Sequence, residues 1–425
     1  MTNLIILTLC LLVLLSYLFD VTARYSKIPG VILLILLGIV IQIITGGLNI
    51  RIPNLRPVLP VIGTVGLIMI VLEASLDLKL GRNRTGLIVR SASAAIILFV
   101  LFVAAMTIIM TKLLHLPVIE SMLNAIPFGI ISSAVAISSS VNLSREQREF
   151  VVYESSLSDI IGILAFDFIV IYGNSIGHGL MSFALNGVLT ILVAVVVTSA
   201  LALLMYKINY HINYIIILTA VILVYVLGKL IHLPALLLVL AFGIALANNS
   251  LVEKTRVRKY IDFEKFRTDL DSFKKIMAEL TFLVRSFFFI MFGYYTKIEG
   301  LFNLRNLIAA FSIIAGIYLL RVLFLWKVLK ISVFPYLFFS PRGLITILLF
   351  LSIPAASRIS LINEEVVTLV ILISILLMML GNIIYRTGNS VKEEIQRGSE
   401  GELLDHKEAA DKNEISQYEK SEIIS

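Results

Sequence analysis

Long apolar runs, separated by short segments rich in charge, proline or glycine, make up most of the chain. A transmembrane helix needs roughly 20 consecutive apolar residues, and about thirteen runs approach that length. They lie at residues 3–19, 29–47, 58–79, 87–111, 118–141, 151–173, 183–206, 213–231, 234–249, 279–297, 304–328, 333–353 and 364–385. The pattern therefore predicts an all-α polytopic membrane protein. The first run lacks a preceding basic segment and a small-residue cleavage site before Asp20, so it is predicted to be a span and not a signal peptide.

Composition excludes several functional classes. Of the 425 residues, 59% are hydrophobic and 15% are charged, and the mean hydropathy is +0.99. A soluble domain carries about 25% charged residues, so a cytosolic globular enzyme and a disordered chain are both excluded. The single cysteine, Cys10, excludes a disulfide framework and a cysteine-based metal site. The sequence has no phosphate-binding glycine motif, which argues against ATP-driven transport, and no cofactor is expected.

The net charge of +7 reflects an uneven distribution of basic residues among the loops. With the N-terminus outside, the inside loops would hold Arg24, Lys27, Arg82, Arg84, Arg145, Arg148, Lys207, Lys254, Arg256, Arg258, Lys259, Lys265, Arg267, Lys274, Lys275, Lys327 and Lys330. The outside loops would hold only Arg51, Arg56, Lys112, Lys229, Lys297, Arg305 and Arg358. Cytoplasmic loops carry an excess of Lys and Arg, which explains the charge better than a nucleic-acid partner does. We therefore expect a multi-pass protein of the plasma membrane with the N-terminus outside and the C-terminus in the cytoplasm.

The last part of the chain differs in composition from the rest. Residues 1–386 contain the predicted spans and are expected to form the transmembrane domain. Residues 387–425 are polar and rich in acidic side chains, so they are expected to form a disordered cytoplasmic tail with no core to bury. A passive extension is the favoured interpretation of this tail, and a regulatory segment is the alternative.

Seven charged side chains lie within the predicted spans and not near their ends. A charge at the centre of a transmembrane helix costs about 2.5–3.5 kcal/mol, so such residues are functional candidates by default. They are Glu73, Glu154, Asp159, Asp167, Arg285, Arg321 and Arg342.

Asp159 is the strongest candidate for the central site. Ser155 precedes it by one helical turn and therefore lies on the same face of the helix, and Ser158 is its neighbour in sequence. A carboxylate with hydroxyl groups is a ligand set that suits a small cation. The same carboxyl group can hold a proton instead, because burial disfavours its charged form. A single buried acid that binds a proton and a metal ion in turn can support ion–proton exchange.

The other buried charges allow more than one interpretation. Glu154 faces a different neighbour from Asp159 on the helix. A buried acid needs a cationic partner, and Arg321 is the better candidate because the apolar residues around it offer its charge no access to water. Asp167 is either a second carboxylate on the ion path or a capped acid near the far end of its span. Arg285 either lines a water-filled cavity or faces another helix.

Two predicted spans are interrupted by helix-breaking residues. The span at 118–141 contains Pro127 and Gly129, and the span at 333–353 contains Pro341-Arg342-Gly343. Broken backbone is tolerated at membrane depth only where it is buried in protein or lines a cavity, and paired breaks in two halves of a chain indicate a transport site. The two are seven spans apart, so the halves would form an inverted repeat whose broken helices cross. Arg342 would compensate the negative helix ends and carbonyls at the crossing.

Three segments resemble the monovalent cation:proton antiporters, the family of the sodium/proton exchangers. ESSLSD at 154–159 resembles the family motif E-S-x-x-N-D, whose last Asp binds the ion and the proton. PRGLITILLFLSIP at 341–354 resembles the family's R-G helix, and LLRVLF carries the Arg that pairs with the motif's Glu in relatives. The resemblance covers roughly residues 20–385. It implies an ion-binding role for Asp159 and a structural pair of Glu154 with Arg321.

The resemblance implies further site residues and an assembly. In relatives, an acid at the position of Glu73 can approach the ion, and a hydroxyl of the broken span, here Ser132, contributes a ligand. This chain departs from the family pattern at two places. Ser158 stands where the motif has Asn, and Ser132-Ser133-Ala134 stands where the family's broken helix has T-D-P. The sequence S-S-A is closer to the S-S-T of the potassium-efflux branch. The family forms homodimers of 13-helix protomers in which a core domain moves against a dimerisation domain.

These observations predict a secondary antiporter that exchanges Na⁺ for H⁺ across the bilayer. The predicted ion and proton ligands are Asp159, Ser155, Ser158, Ser132 and Glu73, and one carboxylate at the motif predicts electroneutral exchange of one ion per proton. K⁺ or Li⁺ as the cation, in particular a K⁺/H⁺ antiporter of the potassium-efflux type, is the alternative. A gated cation channel is a rival of another class, although the sequence lacks a repeated filter element. A membrane-embedded enzyme is disfavoured because HExxH and GxSxG motifs are missing.

Overall fold

A computed structural model describes residues 2–26, 29–48, 58–77, 85–140, 143–173, 181–182, 185–190, 192–193, 196, 213–230, 235–247 and 263–385. These parts of the chain are helices and connecting turns, with no β-strand among them. The chain divides into two compact units, Met1–Met379 and Leu380–Ser425. Of the second unit, the structure describes only 380–385, which form the end of the last helix. The predicted tail at 387–425 lies outside the described residues, so the domain boundary stays a prediction.

The helices with described bounds are named in chain order. They are α1 (Thr2–Ser26), α2 (Gly30–Gly47), α3 (Leu59–Asp77), α4 (Thr85–Leu113), α5 (Val118–Gly129), α6 (Ser133–Ser139), α7 (Arg145–Tyr172), α8 (Asn213–Leu230), α9 (Ala235–Ala247), α10 (Phe263–Tyr295), α11 (Leu304–Lys327), α12 (Leu344–Ser352) and α13 (Glu364–Tyr385). Shorter helical turns lie at Ile298–Leu301 and Ala355–Ser357.

The helices have the length and composition of membrane spans. Within the described part of the chain, seven helical segments are long and apolar enough to cross a bilayer, and four shorter apolar helices accompany them. This confirms the prediction of a polytopic all-helical membrane protein. The count of thirteen spans stays a prediction, because residues 183–206, the seventh predicted span, are described only in part.

The main helix-to-helix contacts fall into two groups. In the first, α4 packs on α5, α7 and α11. In the second, α2 packs on α10, and α3 packs on α9 and α10. The α2–α10 contact needs glycine on both sides, since a Cβ at Gly38 would collide with the carbonyl of Ile290 and one at Gly293 with the carbonyl of Ile35. Such close backbone approach is how membrane helices gain packing energy where lipid supplies no hydrophobic driving force.

The structure corrects three predicted boundaries. α7 begins at Arg145, six residues before the predicted 151, because Ser144 and Gln147 form a capping box that starts the helix in polar sequence. The segment from 263 to 278, predicted to be loop, is the first half of α10, where Leu270, Phe273 and Met277 bury one face. The predicted span at 333–353 is helical only from Leu344, and residues 334–338 form turns instead.

Candidate functional site

The site is built where two broken segments meet. α5 ends at Gly129 and α6 begins at Ser133, which leaves residues 130–132 extended. Residues 339–343 precede α12 without helical structure. We call residues 130–132 the first break and residues 339–343 the second break. The backbone N–H of Ser132 donates to the carbonyl of Pro341 at 2.9 Å. The two breaks thus provide hydrogen-bond partners for each other's backbone inside the protein.

Gly343 permits this crossing. A Cβ at this position would collide with the side chain of Ser132, and it would lie 3.3 Å from Val135. The backbone of Gly343 is extended (φ −163°), a conformation open to any residue. Glycine is therefore required here for space and not for backbone freedom.

Asp159 lies beside the first break, at the start of α6. Its side chain is buried, and Oδ2 accepts a hydrogen bond from the backbone N–H of Ser133 at 3.2 Å. The Ser133 side chain also interacts with this carboxyl group. Oδ1 has no hydrogen-bond partner among the described residues, although it is buried. One carboxylate oxygen is thus fixed by a helix N-terminus and the other is available to a ligand.

Ser158 and Ser155 lie on the same helix as Asp159 and are buried with it. The Ser158 hydroxyl accepts a hydrogen bond of 3.0 Å from the backbone N–H of Ile131 in the first break. The Ser155 hydroxyl donates to the carbonyl of Val151 at 2.7 Å, which leaves its lone pairs as acceptors or ligands. Adjacent positions 158 and 159 of α7 therefore bind free N–H groups of the first break and of the start of α6.

Ser132 and Glu73 hold different positions relative to this site. Ser132 is buried in the first break, next to the residue that binds Asp159. Glu73 is half-buried on α3, which packs chiefly on α9 and α10. The structure thus brings Ser132, Ser155, Ser158 and Asp159 together and leaves Glu73 on a neighbouring helix.

Glu154 and Arg321 form a buried two-pronged ion pair. Arg321 Nη1 donates to Glu154 Oε1 at 2.7 Å and Nη2 donates to Oε2 at 2.8 Å. Arg321 Nε donates to the carbonyl of Tyr336 at 2.9 Å. The two residues are 0% and 2% exposed, a depth at which either charge would be very costly without the other. The pair fixes α7 to α11 and to the turn that leads into the second break.

Arg342 binds carbonyl groups at the crossing. Its Nε donates to the carbonyl of Phe128 at 2.7 Å, and its Nη1 donates to the carbonyl of Ser340 at 2.7 Å. Phe128 lies in the last turn of α5, where the helix dipole is negative. The backbone N–H of Arg342 donates to Ser374 Oγ on α13 at 2.9 Å. Among the described contacts, neither Arg342 nor Arg321 binds Asp159.

A small cavity borders the two guanidinium groups. It has a volume of about 20 Å³ and is lined by Ser158, Arg321, Ser340 and Arg342 on its polar side and by apolar residues of α4 and α11. That space is enough for about one water molecule.

Sequence reasoning missed Ser133, a direct partner of Asp159. Its backbone N–H donates to Asp159, and a backbone group has no signature in side-chain chemistry. The signal that could have found it is the break itself: the first residue of a helix that restarts at membrane depth has a free N–H.

Two further candidates lie away from the breaks. Arg285 is half-buried on α10. Asp167 is half-buried on α7.

Comparison with known proteins agrees with this architecture. Residues 10–386 match the family described as sodium/hydrogen exchanger, transmembrane. The sodium proton antiporter MjNhaP1 from Methanocaldococcus jannaschii, in its structure at pH 8, has a TM-score of 0.64 and 21% identity, with 91% of this chain and 97% of that chain covered. The electron-microscopy map of the same antiporter gives a TM-score of 0.64 at 20% identity, with 92% and 97% covered. No curated protein matches.

The structural matches and the family match support different conclusions. The solved structures show that this chain has the fold of a sodium proton antiporter. The family match covers most of the chain, including both breaks, Glu154, Asp159 and Arg321. The chain therefore belongs to the sodium/hydrogen exchanger family and is a membrane antiporter of Na⁺ and H⁺.

Proposed function

We propose that Asp159 is the group that Na⁺ and H⁺ occupy in turn. The observation that carries this proposal is the buried Oδ1 of Asp159, which has no hydrogen-bond partner among the described residues, beside an Oδ2 fixed by Ser133. A buried carboxylate oxygen without a donor is unfavourable. A proton or a cation relieves that cost, and the two cannot occupy the same oxygen together. Competition for this oxygen couples the two fluxes.

The neighbouring hydroxyl groups complete the proposed ligand set. Ser155, Ser158 and Ser132 supply neutral oxygens around Asp159, which suits a small hard cation. Glu73 is proposed to act from α3 when the helices rearrange during transport. We propose Na⁺ as the cation in preference to K⁺ or Li⁺, as in the family name.

The proposed stoichiometry is one cation per proton. Both oxygens of Glu154 are held by Arg321, so of the two motif carboxylates only Asp159 offers an oxygen to a ligand. A site that carries one negative charge and is neutralised by one Na⁺ or by one H⁺ moves no net charge in a full cycle. The exchange is therefore proposed to be electroneutral.

Location and assembly are also proposals. The basic residues of the loops support a plasma-membrane protein with an external N-terminus and a cytoplasmic C-terminus. The resemblance to the cation:proton antiporters supports a homodimer.

Replacing the shared carboxylate tests the proposed function. In proteoliposomes with an imposed pH gradient, addition of Na⁺ to the wild-type protein should dissipate the gradient, and addition of K⁺ or Li⁺ should do so less. Asp159→Asn keeps the size of the side chain and removes its charge, so exchange should fall to the protein-free background. Asp271→Asn removes the same charge from an exposed position on α10 and should exchange normally.

Two results of this assay would contradict parts of the proposal. Sodium-dependent proton movement through the Asp159→Asn protein, with the protein folded and monodisperse, would remove Asp159 from the site. Faster dissipation with K⁺ than with Na⁺ would reverse the proposed ion preference and leave the site in place.

A further inference from the structure

The small cavity beside the two guanidinium groups offers hydrogen-bond donors and no negative charge. It measures about 20 Å³, and its polar lining consists of Ser158, Arg321, Ser340 and Arg342. Among the described residues that line it, none is Asp or Glu. The other lining residues are apolar, so these four determine what the cavity can hold.

Two of the four keep donors that no described contact uses. A guanidinium group has five N–H groups, and the described side-chain hydrogen bonds of Arg342 use only Nε, toward Phe128, and Nη1, toward Ser340. The Ser158 oxygen accepts from the backbone of Ile131, and among the described contacts its own O–H donates to no group. Arg342 and Ser158 are 3% and 1% exposed, so bulk water does not reach these donors. Because a buried donor without a partner is unfavourable, we expect a hydrogen-bond acceptor in the cavity.

The charges around the two breaks favour an acceptor that is negative. Glu154 and Arg321 neutralise each other through their two hydrogen bonds. Asp159 binds the positive end of α6 and Arg342 the negative end of α5, so the two helix ends cancel as well. Once Na⁺ occupies Asp159, Arg342 is therefore the excess positive charge of this buried group. A buried charge without a counter-charge is costly.

We propose that this cavity binds one small monovalent anion, of the size of chloride, on the guanidinium group of Arg342 and the hydroxyl group of Ser158. The proposal rests on the proposed function, since cargo on Asp159 creates the charge that the anion balances. A chloride ion is only slightly larger than a water molecule and accepts hydrogen bonds without donating any. A water molecule would bring two further donors to a lining that already has donors to spare.

The anion is a fixed partner of the exchanger and not its cargo. Na⁺ or H⁺ neutralises Asp159 in each half of the cycle, so the anion is bound in both halves and is not moved in net terms. Exchange therefore stays electroneutral. By linkage, Na⁺ strengthens anion binding by the same factor by which the anion strengthens Na⁺ binding, and we expect a factor of about ten.

Binding of radiolabelled chloride to the purified protein tests the site without any transport. The titration is made at alkaline pH, at which few protons compete with Na⁺, in sodium gluconate and in choline gluconate of equal ionic strength. Chloride should bind the wild-type protein saturably, with a dissociation constant about tenfold lower in Na⁺ than in choline. Asp159→Asn lacks the negative charge permanently, so it should bind chloride as tightly in choline as in Na⁺.

A variant that fills the cavity locates the bound chloride. Ala95 of α4 lines the cavity and is 2% exposed, so Ala95→Val adds two methyl groups in this space and should weaken chloride binding at least tenfold. Ala104→Val adds the same groups at an exposed position of the same helix and should bind chloride as the wild type does. If Ala95→Val does not fold, the wild-type and Asp159→Asn proteins still decide whether chloride binds and whether Na⁺ promotes it.

Three results would overturn the proposal in whole or in part. Absence of saturable chloride binding in both the wild-type and the Asp159→Asn protein would refute the anion site. Undiminished binding to folded Ala95→Val would place the chloride outside this cavity. Binding that Na⁺ does not strengthen would refute its link to Asp159.

The anion site and the proposed function fail separately. Chloride binding is measured without ion flux, so its absence leaves the assignment of Asp159 intact. Sodium-dependent exchange by Asp159→Asn would refute that assignment, whereas the loss of chloride binding in Ala95→Val would still stand.

Discussion

At the scale of single residues, the partner of each buried charge determines its role. Both oxygens of Glu154 are bound by Arg321, whereas Asp159 has one oxygen bound and one free of protein donors in the described structure. The two acids lie on the same helix and are nearly equally buried. The difference in their hydrogen bonding, and not in their depth, makes one a structural anchor and the other a site for exchange.

The backbone N–H of Ser133 favours the ionised form of Asp159 and hence the cation over the proton. Ser133→Pro removes this N–H at the first position of α6, where proline fits a helix, and the extended backbone of Ser132 is compatible with a following proline. Because a hydrogen bond to a charged group contributes about 1.5–3 kcal/mol, the KM for Na⁺ in proteoliposomes should rise about tenfold or more. Ser133→Ala keeps the N–H and should show a smaller rise.

An equal rise in KM for both substitutions at 133 would contradict the role given to the backbone N–H. It would assign the whole effect to the Ser133 hydroxyl, which also interacts with Asp159.

At this scale the sequence is informative where side chains carry the signal. Charges inside apolar runs identified Asp159, Glu154, Arg321 and Arg342 as candidates, and the structure places all four around the two breaks. Sequence reasoning did not find Ser133, whose backbone N–H donates to Asp159. The position of Glu73 relative to the site depends on how α3 packs, which no local pattern encodes.

At the scale of helices, the site depends on two interrupted segments that cross at close range. The first break separates α5 from α6, and the second precedes α12. Arg342 binds the carbonyl end of α5, and Asp159 binds the amino end of α6. Opposite ends of the broken helix are thus neutralised by side chains of opposite charge.

Filling the space at Gly343 tests this crossing. A Cβ there would collide with Ser132, so Gly343→Ala should push the breaks apart, lower the free energy of unfolding by about 1–3 kcal/mol and reduce exchange. Gly46 of α2 has open space around its Cα, so Gly46→Ala should leave exchange unchanged and stability equal or higher. Thermal unfolding in detergent and exchange in proteoliposomes measure the two effects.

Wild-type exchange and thermal stability in Gly343→Ala would show that the breaks do not need their present separation. Loss of exchange in Gly46→Ala as well would mean that the assay reports general damage and not the crossing.

Helix boundaries show where hydropathy stops being informative. The polar first turns of α7 and the first half of α10 extend beyond the apolar runs, so the predicted spans began too late in both. The capping box at Ser144 and Gln147 and the helical spacing of Leu270, Phe273 and Met277 were readable signals for these starts. The turns at 334–338 had no such signal, because an apolar run with proline fits a kinked helix as well as a turn.

At the scale of the whole molecule, the fold brings residues from distant parts of the chain to one point. Hydropathy and the pairing of the two breaks were enough to predict a helical membrane transporter, and the family match and the antiporter fold confirm this. The spacing between segments far apart in sequence is set by helix packing, such as the glycine contact of α2 with α10, and is beyond local patterns. The number of spans, the orientation and the homodimer stay predictions.

The central claim is that Na⁺ and H⁺ compete for one carboxyl group, and proton release on cation binding tests it most directly. Purified protein is titrated with Na⁺ by calorimetry in buffers of different ionisation enthalpy, at a pH at which Asp159 is protonated. Binding of the cation should release about one proton per Na⁺ bound in the wild-type protein, and the Asp159→Asn protein should neither bind Na⁺ nor release protons. Cation binding without proton release in the wild type, or undiminished release from Asp159→Asn, would contradict the account.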